Sequence, residues 1–508
     1  MYRLLFPYLF ISSFSITPSL LITSAPTPPW EYNGFTKFPA LFFGANSSGL
    51  HNDAALQFIS KHSMIGLGWQ QGTNITLFQH LETQLSQGIL QIYEYLLMNN
   101  NTIPLPSFFV YRHFQMSWTY FDITRAAATN PLYYDMFIHD NDDLPGSVMC
   151  RQPASESPNS TAVASPLFLF HNSTAGDYWV NEVVQEVSTE FGSSAVFFDE
   201  CDWNIGVTGA YNFKRDGCYN LSDSFLVQDM RDKYDVMRRT SNLLVTGSST
   251  SNEENTANKV NEKTKTFISK WPIFSFQNYF NASFTGLTPN ITRPSMIPFE
   301  EVVQNLSSVS WMRFDEFWLS THNKDYDAAD LVTMQMLVRD YNVPVVLRAQ
   351  GFSNNTCTYT DDDNSSSTDT TATITNPPSG TILKGYSSRI STTDVASFSP
   401  ITTLSGKTIS SSSSSSSSSP ITGQPVDLVY ALAGFLIIQE NYTYFGYSSG
   451  WYTVNWCWES PYYDYQYGTP LNNGAPATRV STYVWYRNFT NVDVTIDTEK
   501  GEGIIVFK

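Results

Sequence analysis

The chain has 508 residues, which at roughly 100–200 residues per domain is one large domain with insertions or two to three small ones. Aromatic and charged residues each make up 15%, and 28 basic against 46 acidic side chains leave a net charge of −18. So many large aromatics exclude disorder throughout, and the lack of a basic block excludes an electrostatic footprint for nucleic acid or anionic lipid.

Arg3 precedes an apolar run from Leu4 to Phe14, small residues follow to Ala25, and no acid occurs before Glu31. This pattern predicts a secretory signal over residues 1–25, cleaved near Ser24 or Ala25, and hence a secreted or secretory-lumen protein that could stay associated with the cell surface. Beyond it, short apolar runs suited to buried parallel strands are Ala40–Gly44, Met64–Trp69, Ser107–Arg112, Ala195–Asp199, Ile273–Asn278, Trp311–Phe317, Pro344–Ala349 and Thr443–Gly446. Helical patterns lie between most of them, at Asn52–Lys61, Phe78–Met98, Tyr178–Phe191, Ser224–Leu244, Phe299–Leu306, Ala328–Tyr341 and Asp427–Gln439. Val180, Val183, Val184, Val187 and Phe191, for example, make one helix face. Two further apolar runs, Pro166–Phe170 and Leu243–Thr246, are read as a loop and as the end of a helix.

Eight strands alternating with helices predict an α/β fold, a (β/α)8 barrel. Its first part would span residues 30–351, with a polar insertion at 248–265. A Ser/Thr-rich insertion at 352–425, with an unbroken serine run from Ser410 to Ser419, is expected to be disordered. The last helix and strand would fall within 426–460, and a C-terminal antiparallel β segment within 461–508. No further run is long and apolar enough to span a membrane; Val426–Ile438 is short and contains Asp427.

Sequons at Asn46, Asn74, Asn100, Asn159, Asn172, Asn220, Asn281, Asn290, Asn305, Asn354, Asn364, Asn441 and Asn488 fit a glycoprotein on a eukaryotic secretory path. Of the five cysteines, Cys201 and Cys218 are close in sequence and form the preferred disulfide.

Active sites of such barrels lie at the C-terminal ends of the strands. Two strand ends are loaded with acids: Asp199, Glu200 and Asp202 beside Trp203, and Asp315 and Glu316 among Phe314, Phe317 and Trp318. Cleaving a glycosidic bond needs two carboxyl groups, one to attack or activate water and one to protonate the leaving oxygen. Asp199 fits the nucleophile and Glu316 the proton donor, with Glu200, Asp202 and Asp315 in support. The bland use of these acids is as helix caps, ion-pair partners or solvated loop tips. Trp69, Gln70, Tyr111, His113, Asn278, Trp318, Tyr447, Trp451 and Trp203 stand where they could bind sugar hydroxyls or stack on rings, although for any single aromatic core packing is the commoner role. Arg112 and Arg348 follow apolar strands and are expected to pair with carboxylates, site acids among them.

Other motifs fail. Gly446-Tyr447-Ser448-Ser449-Gly450 resembles a nucleophile elbow, yet no histidine follows His322. Gly406-Lys407-Thr408 lacks the rest of a P-loop, and Gly66, Gly68 and Gly72 are misspaced for a dinucleotide fingerprint. The seven histidines form no zinc motif, so neither a metal nor a cofactor is expected.

Asp177-Tyr178-Trp179-Val180 followed by Ala195-Val196-Phe197-Phe198-Asp199 resembles a segment of glycoside hydrolase-like (β/α)8 proteins. So do Ala433-Gly434-Phe435-Leu436-Ile437, Tyr442–Tyr447, the run Asp464 to Leu471, and Tyr486-Arg487-Asn488-Phe489. These proteins are distantly similar to α-galactosidase-like and endo-polygalactosaminidase-like glycosidases. The resemblance implies a nucleophile after the fourth strand and an acid/base after the sixth, here Asp199 and Glu316. With the signal pattern, it leads to the expectation of a secreted, retaining glycoside hydrolase with a carbohydrate partner. The competing reading is a non-catalytic glycan-binding or cell-surface protein on the same barrel. Oligomeric state is not encoded in any of these features.

Overall fold

The computed structural model describes residues 39–76, 80–99, 106–114, 116–139, 151–152, 165–188, 193, 195–199, 201, 223–246, 271–276, 299–309, 311–318, 324–350, 376–387, 427–440, 443–448 and 461–508. Eight parallel strands form one sheet: β1 (Leu41–Gly44), β2 (Met64–Leu67), β3 (Ser107–His113), β6 (Ala195–Asp199), β7 (Trp271–Phe276), β8 (Met312–Trp318), β9 (Val345–Gln350) and β11 (Thr443–Ser448). A parallel bridge between Ala40 and Phe445 brings the last strand back to the first, as a barrel requires. All eight expected strands are present and in order, so the (β/α)8 architecture is the observed one.

Side chains alternate across each strand, and the alternation sorts the core into an inside and an outside. Phe43, Phe109 and Phe197 come from β1, β3 and β6 and meet inside, with ring centroids 5.3–5.9 Å apart. Their neighbours Phe42, Phe108 and Phe198 face the helices, against Phe58, Tyr93 and Trp179. Three bulky rings fit because other strands supply glycine at the same depth. A Cβ on Gly66 would come within 1.9 Å of the Phe109 ring. Gly446 likewise leaves room for Leu41, whose Cδ2 would lie 3.0 Å from such an atom.

The outer layer is helical. The expected helix at Tyr178–Phe191 begins earlier and is compound: an α segment Ser173–Tyr178, a π segment Trp179–Val184, and an α segment Gln185–Ser188. Its Trp179 is fully buried among Phe114, Phe168, Phe170 and Phe198. The Asp223–Thr246 helix absorbs the apolar run at its end, as read from the sequence. Ser165–Pro166 (β5) pairs antiparallel with Arg151–Gln152 (β4), and bridges tie Leu167 to Met116 and Phe168 to Phe137. The segment read as a loop is thus a small antiparallel flap outside the barrel.

The Leu428–Ile438 helix is apolar all round and every one of its residues is buried. Such a helix needs cover on both sides. The barrel supplies one side. A five-stranded antiparallel sheet supplies the other, in the order β10 (Ile382–Tyr386), β15 (Glu502–Phe507), β14 (Val492–Asp497), β13 (Val484–Asn488) and β12 (Thr478–Ser481). Gly503 lets β15 lie directly on the helix, since a Cβ there would meet Tyr430 Cα at 2.7 Å. Arg487 reaches under the helix end: its Nη1 donates to the carbonyls of Leu436, Ile437 and Gln439 at 3.2, 3.1 and 2.6 Å, and its Nη2 pairs with Glu440 at 3.0 Å. The last carbonyls of a helix have no partner of their own, and a buried arginine satisfies three of them at once.

β10 corrects the expected disorder of residues 352–425 in part. Ile382–Tyr386 is an edge strand in register with Glu502–Val506. It was hidden because an edge strand is half-solvated and carries polar residues, here Lys384. Apart from residues 376–387, that insertion and all of the polar insertion at 248–265 lie outside the described residues.

Candidate active site

The C-terminal ends of the strands form the mouth of the barrel. Asp199 closes β6 on the same face as Ala195 and Phe197, so its carboxylate enters the lumen, where it is 5% exposed. Tyr111, on the lumen face of the adjoining β3, donates its phenol to Asp199 Oδ2 at 2.7 Å. His113 follows two residues later and pairs in register with Asp199. The backbone N–H of Met116 donates to His113 Nδ1 at 3.0 Å, which puts the proton of the neutral ring on Nε2. Burial drives the pKa of His113 down to about 4; the charge of Asp199 opposes this and that of Lys233 adds to it. His113 is therefore neutral at ordinary pH.

Round the same mouth, Ser275 of β7 is fully buried and its Oγ has no hydrogen-bond partner. Arg348 of β9 has the lumen parity of Val346, since Val345, Leu347 and Ala349 belong to the outer core, and it is 2% exposed. Its backbone is in register with Glu316 of β8 on one side and Gly446 of β11 on the other. The mouth thus holds a buried carboxylate, a phenol, a neutral imidazole and a guanidinium on three strands, β3, β6 and β9. That set suits a polar ligand in a site with little water.

An aromatic chain leads from this carboxylate towards solvent. Tyr111 contacts Trp118 at 5.4 Å between centroids, Trp118 contacts Trp69 at 5.0 Å, and Trp69 stacks on Tyr120 at 5.4 Å and 12°. Trp69, Trp118 and Tyr120 are half-buried. Gln70 is also half-buried, in the turn after β2, where its carbonyl accepts from Thr73.

Several expected site residues stand elsewhere. Among the described residues, Arg112 pairs with no mouth carboxylate. It occupies the outer face of β3, pairs with Glu186 at 3.0 Å and lies over the Phe121 ring at 4.3 Å. One residue of strand phase separates it from Tyr111 and His113. Tyr447 is likewise on the outer face of β11, donating to Asp427 Oδ1 at 2.6 Å rather than lining the lumen. Asp315, Glu316 and Trp318 lie in β8, and their side chains are outside the described set. Glu200, Asp202, Trp203, Cys218, Asn278 and Trp451 lie outside the described residues. Cys201 is buried, its Sγ 3.2 Å from the carbonyl of Phe198; Cys218, its partner in the expected disulfide, lies outside the described residues.

Sequence reasoning missed Trp118 and Tyr120, which sit in a loop without periodicity. It also missed Asp229 and Lys233, one turn apart on the Asp223–Thr246 helix and both fully buried. Lys233 lies over the Phe170 ring at 5.7 Å, and burial pushes the Asp229 carboxyl up to about 6 against the pull of Lys233. A buried i, i+4 acid–base pair on an otherwise amphipathic helix was the available signal. Among the described residues no group of three or more His, Cys, Asp or Glu side chains could hold a metal ion, and no helix is long and apolar enough to cross a membrane.

Residues 361–493 match a family model described as hypothetical glycosyl hydrolase family 15. Over that stretch the chain is similar to a glycosyl hydrolase-like family, and its fold is a (β/α)8 barrel. The matched stretch takes in the last barrel helix, β11, β12 and β13, where the C-terminal part of the sequence resemblance was drawn; the part at Asp177–Val180 and Ala195–Asp199 lies outside it. Among solved structures, the chain is similar to the glycoside hydrolase domain of PelA from Pseudomonas aeruginosa, with 11% identity, 62% of this chain and 84% of that one covered, and a TM-score of 0.29. It is also similar to the family 36 α-galactosidase AgaA from Geobacillus stearothermophilus, with 13% identity, 47% and 28% covered, and a TM-score of 0.25. No residue role is carried over from either. No curated protein matches the sequence.

Proposed function

We propose that the protein is a glycoside hydrolase that cleaves O-glycosidic bonds with retention at the anomeric carbon. The observation that carries this reading is the position of Asp199: a buried lumen carboxylate at the C-terminal end of a barrel strand, held by a phenol. Its carboxylate would attack the anomeric carbon while Glu316 gives its proton to the departing oxygen. Water would then cleave the glycosyl ester, with Glu316 taking up a proton and Asp199 leaving as carboxylate. Arg348, in register with Glu316, would set the charge balance on that side of the mouth. Trp69, Trp118 and Tyr120 would offer ring faces to the sugar, since flat aromatic surfaces match the C–H faces of pyranoses. The secretory setting expected from the sequence belongs to the same proposal and is checked by finding the protein in the medium of a secreting host.

The test is a panel of neutral oligosaccharides and aryl glycosides assayed for release of reducing sugar. Wild type is expected to cleave at least one of them and Asp199→Asn none. Binding without cleavage by wild type favours the glycan-binding alternative.

A further inference from the structure

We propose that Tyr111 is a positioning residue of Asp199, fixing the rotation and the ionised state of that carboxylate, rather than one of the groups that contact the sugar. This rests on the glycosidase reading above and reassigns a side chain first counted among the substrate-binding ones.

The geometry leaves Tyr111 no surface to offer a ligand. It is fully buried, and its ring is held by Trp118 at 5.4 Å, Phe197 at 5.7 Å and His113 at 6.5 Å. Two of those contacts come from different elements, β6 and the loop after β3, so the phenol has one direction in which to point. It points at Asp199 Oδ2, 2.7 Å away. A phenol remains a donor throughout the pH range in which a carboxylate works. A donor aimed at the charged form of an acid favours that form, and it also stops the carboxylate turning about its last bond. Both are what a nucleophile needs in a site that excludes water.

Among the described residues, three other strands and helices bring charged or titratable groups towards Asp199. His113 on β3 is neutral and buried. Lys233 acts on His113 from the Asp223–Thr246 helix. Arg348 lies farther round the mouth on β9, and Glu316 is in register with it on β8. Tyr111 is the group whose hydrogen bond to the carboxylate is defined, and removing one oxygen atom tests it.

Tyr111→Phe keeps the ring and its packing. It is expected to lower kcat about 10- to 100-fold with KM changed less than about threefold, and to move the acid limb of the kcat/KM profile up by about one pH unit. 3-Fluorotyrosine at position 111, a stronger donor, is expected to move that limb down. A higher KM with unchanged kcat and an unmoved limb overturns the proposal and returns Tyr111 to the sugar-binding set. The carboxyl titration of Asp199 is followed in parallel by NMR of protein labelled at the aspartate carboxyl carbon, its signal assigned by its loss in Asp199→Asn. It reads the same hydrogen bond without turnover, and an unchanged midpoint in both Tyr111 variants also overturns the proposal. Full activity in Asp199→Asn sinks the glycosidase assignment of that residue instead, while the titration still decides what Tyr111 does to it.

Discussion

Two regions of the molecule use the same pair of side chains in different ways. In the barrel mouth Tyr111 donates to Asp199 at 2.7 Å. In the outer clamp, where the Leu428–Ile438 helix is held between the barrel and the C-terminal sheet, Tyr430 donates to Asp327 at 2.7 Å, Tyr447 to Asp427 at 2.6 Å and Tyr483 to Asp325 at 2.7 Å. The outer pairs join helices, strands and the C-terminal sheet, and those at Asp327 and Asp427 satisfy carboxylates that packing has drawn out of water. A tyrosine–aspartate hydrogen bond is therefore not a mark of chemistry in this fold. What separates Asp199 is its place: it faces the lumen at a strand's C-terminal end, next to a neutral imidazole and a half-exposed aromatic run. The comparison makes the pairs each other's controls.

The largest expected difference is in activity. Asp199→Asn should cost about 10³-fold or more in kcat with little change in melting temperature. Asp327→Asn should leave kcat within about twofold and lower the melting temperature. Equal losses of activity in both variants would erase the distinction.

Next in size is the clamp itself. Arg487→Met removes four hydrogen bonds from the end of the apolar helix and leaves Glu440 without its guanidinium. A loss of about 3 kcal/mol in urea unfolding is expected, by the measure of broken buried pairs. The catalytic pH profile should keep its shape.

Smaller still is Tyr430→Phe, which takes a hydrogen bond from a buried carboxylate oxygen and should cost about 1–3 kcal/mol of stability. In contrast to Tyr111→Phe, it should not move the acid limb of activity. Movement of that limb in both variants would point to global loosening rather than a local bond.

The smallest effect is in the pH dependence of stability. Burial lowers His51 and His113 to about 4, below their ordinary value, so the native state binds fewer protons than the unfolded chain between pH 4 and 6.5. Stability from these two is complete above 6.5 and is lost on acidification towards 4. Asp229, raised to about 6, works the other way: the native state holds the extra proton, and its contribution falls as pH rises from 4 to 6. The wild type should lose melting temperature between pH 7 and 4.5. Asp229→Asn should lose it more steeply, because the opposing group is gone. A shallower fall in the variant would contradict the assignment.

The barrel was legible because its strands are buried on both faces and read as unbroken apolar runs. Ala195–Asp199 was recovered to the residue, and Asp199 with it. Which way a side chain points was less legible. Arg112 and Tyr447 sit at strand ends like Tyr111 and His113, but strand phase turns them outward, and an error of one residue reverses the reading. β10 escaped because its stabilising partner, β15, lies more than a hundred residues away and its own residues are half exposed. Trp118 and Tyr120 escaped because loop aromatics have no period to betray them. The tail motif Tyr486-Arg487-Asn488-Phe489 now has a physical reason, since Arg487 closes the end of the helix on which the whole clamp rests.

The central claim is that Asp199 is the nucleophile of a retaining glycosidase, and trapping tests it most directly. A panel of 2-deoxy-2-fluoro glycosyl fluorides, incubated with wild type and digested, should leave one added sugar on the peptide that carries Asp199, with loss of activity in step and no label in Asp199→Asn. A sugar ester on another carboxylate, or cleavage of substrates with inversion and no ester, would contradict it.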